Sequence, residues 1–385
     1  MFLILASFGM TTGFILLYIF AFFALIQLFY FLFFFIRVPL FKNKSSKKTE
    51  VNKPISIIVC ALNEEANLRK NLPSLLSQNY FRNGVPYFEV LVVNDNSEDN
   101  TFYLLNEMKE EYKHLHVLHL TQSAKLIPGK KFALSMGIKS AKYEHLLLTD
   151  ADCVPATSEW LSKMASHFSD EKNIVLGYGA YNKYPGMLNK KIRFETIHSA
   201  MQFFSFALAK IPYMGVGRNL AYTRTLFVNN KGFASHHHIA SGDDDLFINQ
   251  VANNKNVTVE LSEESFTYSM PKKNKRDWDF QKRRHLGTGK FYKFKHKILL
   301  GFYAMTQLLF FVSFIASLFF IENLVFAIPI FLAREIVMYY VYFGTCKKLK
   351  ENDLIPYIFL FDFWLIFYHY KNFKTITIKT HQHWK

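Results

Sequence analysis

The chain has 385 residues, half of them hydrophobic, with 42 Phe, 21 Tyr and a formal net charge of +16. Such a balance selects nucleic acid, anionic lipid headgroups or phosphate-bearing substrates as partners, and the gathering of apolar residues at the two ends favours lipid over nucleic acid. Three scattered cysteines (Cys60, Cys153 and Cys346) exclude a disulfide framework and have no metal-ligand spacing.

The first predicted element is an uncharged run from Gly13 to Ile36, long enough to cross a bilayer as a helix. No basic residue precedes it and no small-residue cleavage site follows, so it reads as an anchor rather than a signal peptide. Arg37, Lys42, Lys44, Lys47 and Lys48 come next. Positive charge on that side places the following residues in the cytoplasm. Residues 1–53 are therefore expected to be a span plus a basic linker.

Residues 54–271 read as an α/β domain. Ile55–Cys60 is a short, β-branched apolar run that predicts a buried strand. A helical pattern opens at Asn63-Glu64-Glu65 and runs through Leu68, Leu72, Leu75 and Leu76. Phe88–Val93 predicts a second strand, Val117–Leu120 a third, Lys131–Ala141 a helix and His145–Thr149 a fourth strand. Alternating strands and helices predict a mainly parallel sheet with ligands beyond the strands' carboxyl ends. Residues 272–297 interleave Lys and Arg with Trp278, Phe280, Phe291, Tyr292 and Phe294, a pattern suited to a headgroup interface or to clamping a diphosphate.

Residues 298–385 return to lipid-like composition. Ile298–Ile321 and Leu324–Tyr342 are expected spans, the second holding Arg334-Glu335, a pair expected to face a protein interior or a polar cavity. Leu354–Tyr370 is short for a span and carries Asp362. With Lys371, Lys374, Lys379 and Lys385 behind it, a re-entrant or interfacial segment fits the positive-inside tendency. Two or three spans are few for a transporter. The expected location is an integral protein of the plasma (inner) membrane with residues 54–271 in the cytoplasm.

Three groups of carboxylates stand at strand or helix ends. Asp95 follows the second strand, where it serves either a nucleotide's ring or ribose donors or the turn itself. Asp150-Ala151-Asp152 closes the fourth strand, and carboxylates at i and i+2 on such a rim suit Mg²⁺ or Mn²⁺ bound together with substrate phosphates. Asp243-Asp244-Asp245 precedes an amphipathic stretch through Phe247, Ile248 and Val251. It offers helix-capping charge or a general base for an attacking hydroxyl. His236-His237-His238 reads as a solvated loop, because adjacent side chains point apart.

In sum these residues resemble glycosyltransferase family 2, inverting enzymes with a GT-A fold, over most of residues 54–290. Pro54–Glu64 is similar to the family's opening strand and nucleotide-binding turn, which implies nucleotide contacts at Ala61 and Glu64. Val92-Val-Asn-Asp95-Asn-Ser97 resembles its second acidic motif, which places Asp95 at the base or ribose. Gly129-Lys130 ahead of Ala133-Leu134 resembles its Gly-Lys-x-x-Ala-Leu, with Lys130 near the nucleotide. Asp150-Ala-Asp152 matches the metal motif, with Asp150 also at the nucleotide, and Gly217-Arg218-Asn219-Leu-Ala221 resembles the acceptor-side loop. The register set by Leu246 puts the catalytic base on Asp243, with Asp244 second. Gln281-Lys-Arg-Arg284-His285 keeps the Gln and Arg of the membrane members' Gln-x-x-Arg-Trp but replaces Trp with His. Arg284 is then expected at the diphosphate, and the missing indole weakens the case for processive synthesis.

The resemblance implies sugar transfer from a nucleotide donor, UDP-linked, to a hydroxyl of a lipid or lipid-linked acceptor, assisted by Mg²⁺ or Mn²⁺ and with no nucleic-acid partner. The alternatives are a processive polysaccharide synthase of the same family, a nucleotidyltransferase, and a non-enzymatic membrane scaffold. Cys60-Ala-Leu-Asn-Glu64 lacks the Gly-rich, Arg-containing phosphate loop that a nucleotidyltransferase would carry. The order of the acidic and basic motifs argues against a scaffold.

Overall fold

The computed structural model describes residues 2–43, 53–121 and 129–376. They form two compact units, one from the chain's two ends (up to Phe41 and from Lys293 on), the other from Lys42–Tyr292. Lys44, Lys47 and Lys48 of the expected basic linker lie outside the described residues, as do Lys379 and Lys385 of the tail.

The chain opens with α1 (Phe2–Phe29), prolonged by a π turn and a 3₁₀ turn to Arg37. The sheet unit then follows in alternation: β1 (Ile55–Ala61), α2 (Glu65–Leu76), β2 (Phe88–Asn94), α3 (Thr101–Glu111), β3 (Leu115–His119), α4 (Lys131–Ser140) and β4 (His145–Asp150). Every residue of β1 and β2 is buried, as strands covered by helices on both faces must be. After α5 (Trp160–Ala165) come β5 (Ile174–Leu176), α6 (Met187–Leu208), β6 (Leu220–Thr223), α7 (Arg224–Asn229), α8 (Asp245–Val251), β7 (Val257–Val259) and α9 (Lys275–Leu286).

The seven strands pair in the order β7-β5-β6-β4-β1-β2-β3. All neighbours are parallel except β6, which runs against both β4 and β5. Its reversal has a positional effect. Leu220, the first residue of β6, sits opposite Leu148 near the end of β4. The segment before β6 therefore reaches the same rim as the carboxyl ends of β1 and β4. A small sheet of Cys153–Pro155, Thr267–Ser269 and Gly179–Tyr181 flanks that rim.

The helical unit joins α1 to α10 (Phe294–Ser317), α11 (Leu324–Lys348) and α12 (Ile358–Ile376). Among the described residues, three helices are long and apolar enough to cross a membrane: Thr12–Arg37, Phe294–Ser317 and Ile321–Lys348. The second begins at Phe294, upstream of the expected Ile298, because the helix recruits two lysines and a histidine into its first turn. Asn323, in the first turn of the third of these, is buried and donates to the Gly13 carbonyl at 2.8 Å.

The charges inside this unit are paired. Arg334 is fully buried and donates to Glu335 at 2.8 Å, Asp362 at 2.7 Å and the Gln27 amide oxygen at 3.2 Å. Gln307 donates to Asp362 at 2.9 Å, and Gln27 to the Thr306 hydroxyl at 2.9 Å. The guanidinium also lies over the rings of Phe31, Phe310 and Phe311. One buried network thus ties α1, α10, α11 and α12. Asp362, read from sequence as a charge that counts against insertion, is neutralised by Arg334.

Candidate active site

The rim is assembled from several stretches of chain. The turn after β1 is stitched to the turn after β2. The Asn63 amide donates to the Ser97 hydroxyl at 2.9 Å, Glu98 donates back to the Asn63 side chain at 2.7 Å, and the Glu64 amide donates to Thr101 at 3.1 Å. Asn63 and Asn96 both adopt left-handed backbone, which Asn tolerates better than other side-chain-bearing residues. Glu64 is partly exposed on this turn.

Two of the expected nucleotide contacts are buried here. Asp95 is wholly buried. The Ala61 side chain is buried as well, and its carbonyl accepts from the Asp95 amide at 2.8 Å. Both positions hold the turn together.

At the end of β4, Asp150 stands half-open and takes an ion pair from Lys130, which also lies 4.0 Å from Asp243. Lys130 follows Gly129, whose φ of +72° and contact with the Ala240 carbonyl leave no room for a β-carbon. Burial would raise the Asp150 carboxyl, but Lys130, with Arg218 and Arg284 farther off, outweighs it and holds it below the usual carboxylate range. Asp152 is pushed the other way, by burial and by the charge of Asp150. Asp150, Asp152 and Cys153 bring ligand atoms within 4.8 Å of one another. Burial pushes the Cys153 thiol far up, so it stays protonated, and the usable donors are carboxylate oxygens. An all-oxygen set of this kind fits Mg²⁺ or Mn²⁺.

Arg218 approaches from the loop before β6. Its guanidinium lies 4.2 Å from the centre of the Tyr181 ring and donates to the Ser269 hydroxyl at 2.9 Å. Its own carbonyl accepts from Thr149 at 2.9 Å and Thr267 at 3.0 Å. Gln281 on α9 donates to the Tyr181 hydroxyl at 3.3 Å, so Tyr181 stands between Arg218 and Gln281. Lys282 pairs with the buried Glu195 of α6, which anchors α9, and Arg284 contributes to the field at Asp150. Asn219 does not face the rim. It is fully buried, its amide donates to the carbonyls of Tyr178 and Ser265, and its oxygen accepts from Trp160 at 3.0 Å. Both of its amide N–H groups and its oxygen are thus partnered inside the protein.

The acidic triple divides into three tasks. Asp243 is partly exposed and faces Lys130. Asp244 caps α8, accepting from the Asp245 amide at 2.7 Å and from the Gly217 amide at 2.8 Å. Burial and the charges of Asp243 and Asp245 push it up to about 7. Each of its oxygens thus takes one backbone amide, and Asp243 stands beside it, also partly exposed. Asp245 is buried and accepts from the Thr288 and Tyr292 hydroxyls.

Two contributors were not visible in the sequence. Tyr181 carries no motif, being one aromatic among many. Lys131 is wholly buried and donates to the carbonyls of His236 and Ile239, each at 2.8 Å. His236 is correspondingly buried, so only His237 and His238 fit the solvated loop expected for all three. The signal that existed was the adjacent lysine pair at the start of a helix, where two cations are one more than a phosphate-facing turn needs.

Residues 56–227 match the sequence profile of Glycosyl transferase family 2. Over 181 residues the chain is 28% identical to the probable glycosyltransferase YdaM of Bacillus subtilis, covering 45% of this chain and 41% of that protein. Over 142 residues it is 34% identical to the beta-monoglucosyldiacylglycerol synthase of Trichormus variabilis, covering 37% and 28% of the two. The chain thus spans less than half the length of either relative. Among solved structures it resembles the mannosyltransferase PcManGT from Pyrobaculum calidifontis, solved with GDP-Man and Mn²⁺. The TM-score is 0.54 at 16% identity, over 91% of this chain and 99% of that one. At that identity the likeness concerns the fold, and the fold is GT-A.

Proposed function

Because this chain belongs to glycosyl transferase family 2, we propose that it transfers a sugar from a nucleotide diphosphate donor, UDP-linked, to a hydroxyl of a lipid or lipid-linked acceptor, with inversion. The observation that carries the reading is the Lys130 ammonium, set between Asp150 and Asp243. It brings the end of β4 and the head of α8 to one rim.

In this reading Asp243 accepts the proton of the acceptor hydroxyl as the oxygen attacks the anomeric carbon opposite the diphosphate. Asp244, whose oxygens also accept from the Gly217 and Asp245 amides, stands second to it, and Asp245 is engaged by Thr288 and Tyr292. Asp150 and Asp152 would hold a Mg²⁺ or Mn²⁺ ion, which when bound supplies charge to neutralise the departing diphosphate. Lys130, Arg218 and Arg284 add fixed positive charge on the same side. Gln281 holds the Tyr181 ring on which the Arg218 guanidinium rests. Glu64 and the turn after β1 flank the nucleotide.

The candidate spans and the likeness to a glycolipid synthase support this acceptor class. Lysine and arginine just after the first span, and Lys347, Lys348 and Lys350 at the end of the third, support a catalytic unit on the cytoplasmic face. The test supplies purified protein with a panel of nucleotide-sugars, Mn²⁺ and a native lipid extract, and looks for labelled lipid. Asp243→Asn should lower transfer by about 10²–10⁴-fold while UDP binding in the presence of Mn²⁺ survives. Loss of binding along with transfer would sink the assignment of the base.

A further inference from the structure

Asp245 is the member of the acidic triple turned away from the rim. A carboxylate in the first turn of a helix is ordinarily solvated, but this one is buried and takes two hydroxyl partners. The Tyr292 hydroxyl donates to it at 2.7 Å, and the Thr288 hydroxyl is shared between it and the His285 carbonyl. The Tyr292 ring is buried against Tyr213, whose carbonyl accepts from Asn249 of α8 at 2.8 Å. Residues 288–292 are therefore gripped by both the first turn and the middle of α8.

The position of this grip is informative. Asp243 lies two residues before Asp245. His285, whose carbonyl shares the Thr288 hydroxyl, follows directly on Arg284. One buried carboxylate thus registers the segment of the base and the end of α9 together. In the chain, Tyr292 is also followed at Phe294 by the first residue of a candidate span.

We propose that Thr288 and Tyr292, acting through Asp245, are positioning residues that fix Asp243 for proton transfer and make the rate of transfer sensitive to the chain segment leading into that span. The proposal rests on the reading of Asp243 as the base. Its chemical logic is that a base must stand within hydrogen-bond reach of the hydroxyl, and a displacement of about 1 Å costs on the order of a hundredfold in rate.

The test uses the full chain in detergent micelles and the near-isosteric variants Tyr292→Phe and Thr288→Val, singly and together. Phe keeps the ring on Tyr213 and Val keeps the shape of Thr, so the unit retains its packing. The first readout, deuterium exchange of the amides of residues 241–248, needs no donor. Exchange in the double variant should be faster by roughly tenfold. The second is the affinity for UDP with Mn²⁺, which should stay within about twofold, since donor-holding groups are untouched. The third is turnover with the nucleotide-sugar panel and lipid extract, in which kcat should fall by about tenfold or more at unchanged donor KM.

Unchanged exchange in residues 241–248 overturns the proposal. So does a parallel loss of UDP affinity and turnover, which marks a general structural role. An Asp243→Asn variant that still transfers sugar removes the base from the argument, and the exchange result still decides whether the grip exists.

Discussion

Asp150 and Asp152 are the same side chain two residues apart, yet their surroundings drive their carboxyls in opposite directions. Lys130 and the two arginines hold Asp150 ionised, whereas Asp152 faces burial and its neighbour's charge. Asp152 therefore gains most from a divalent ion. Replacing it, as Asp152→Ala, should weaken Mn²⁺-dependent UDP binding by about 10- to 100-fold, with metal-free UDP affinity little changed, in keeping with an ion bound through one or two carboxylates plus substrate phosphates. Calorimetry with and without Mn²⁺ measures both, and equal affinities for variant and parent would remove the metal role. At this scale the sequence was informative where a polar residue ended an apolar strand, as Asp150 does. It was silent on direction. Asn219 sits beside Arg218 in the same loop, but one side chain meets Tyr181 and the other serves Trp160, Tyr178 and Ser265 inside the core. Asp95 and Ala61 show the same limit, since adjacency to a motif does not reveal which way the pleat turns a residue.

The segment from Phe233 to Asp243 has little regular structure, and its placement depends on what grips it. Lys131 holds the carbonyls of His236 and Ile239, and Gly129 allows Ala240 to approach. Lys131→Met keeps the length of the side chain but leaves both carbonyls without their donor, which should cost about 2–3 kcal/mol. Thermal or denaturant unfolding of the full chain would detect it, and an unchanged midpoint would refute the brace. A pH signature accompanies the loss. Burial pushes Lys131 down to about 8, against the opposing pull of Asp243, Asp245 and Asp244. Between about pH 8 and the ordinary lysine value the unfolded chain binds the extra proton and the folded one does not, so stability rises with pH in that window. The neutral amine still has two N–H groups for its two carbonyls. The stability difference between parent and variant should therefore widen above about pH 8. The strands from Ile55 to Asp150 were legible because each is an apolar run with turn residues at its end. The three-residue strands of the small sheet are too short for any period to register, and α6, buried on nearly every side, shows no amphipathic stripe.

For the molecule as a whole, two units use opposite strategies for their polar groups. The sheet unit gathers charge at a rim, and the helical unit conceals a cation and two carboxylates among its helices. Arg334→Met would leave Asp362 and Glu335 without their partner, and breaking such a buried pair costs about 3–5 kcal/mol. The melting temperature of the full chain in detergent should fall accordingly, and the paired variant Arg334→Met with Asp362→Leu should recover part of the loss. A double variant no better than the single one would show that the ion pair does not organise the bundle. The sequence pointed Arg334 to a protein interior or a polar cavity but could not name Asp362 or Gln27, because helix partners far apart in the chain leave no local trace. The reversed strand β6 bears on the order in which the protein can be made. Residues 55–150 hold four mutually paired strands and can form their part of the sheet as they leave the ribosome. Strand β5 emerges next but pairs only with β6 and β7, both later in the chain. Until β6 slips between β4 and β5, the edge of β4 stays open, and Arg218 and Asp243 are still absent from the rim. The nascent protein can thus form the end of β4 with Asp150 before Arg218 and Asp243 join it at the rim.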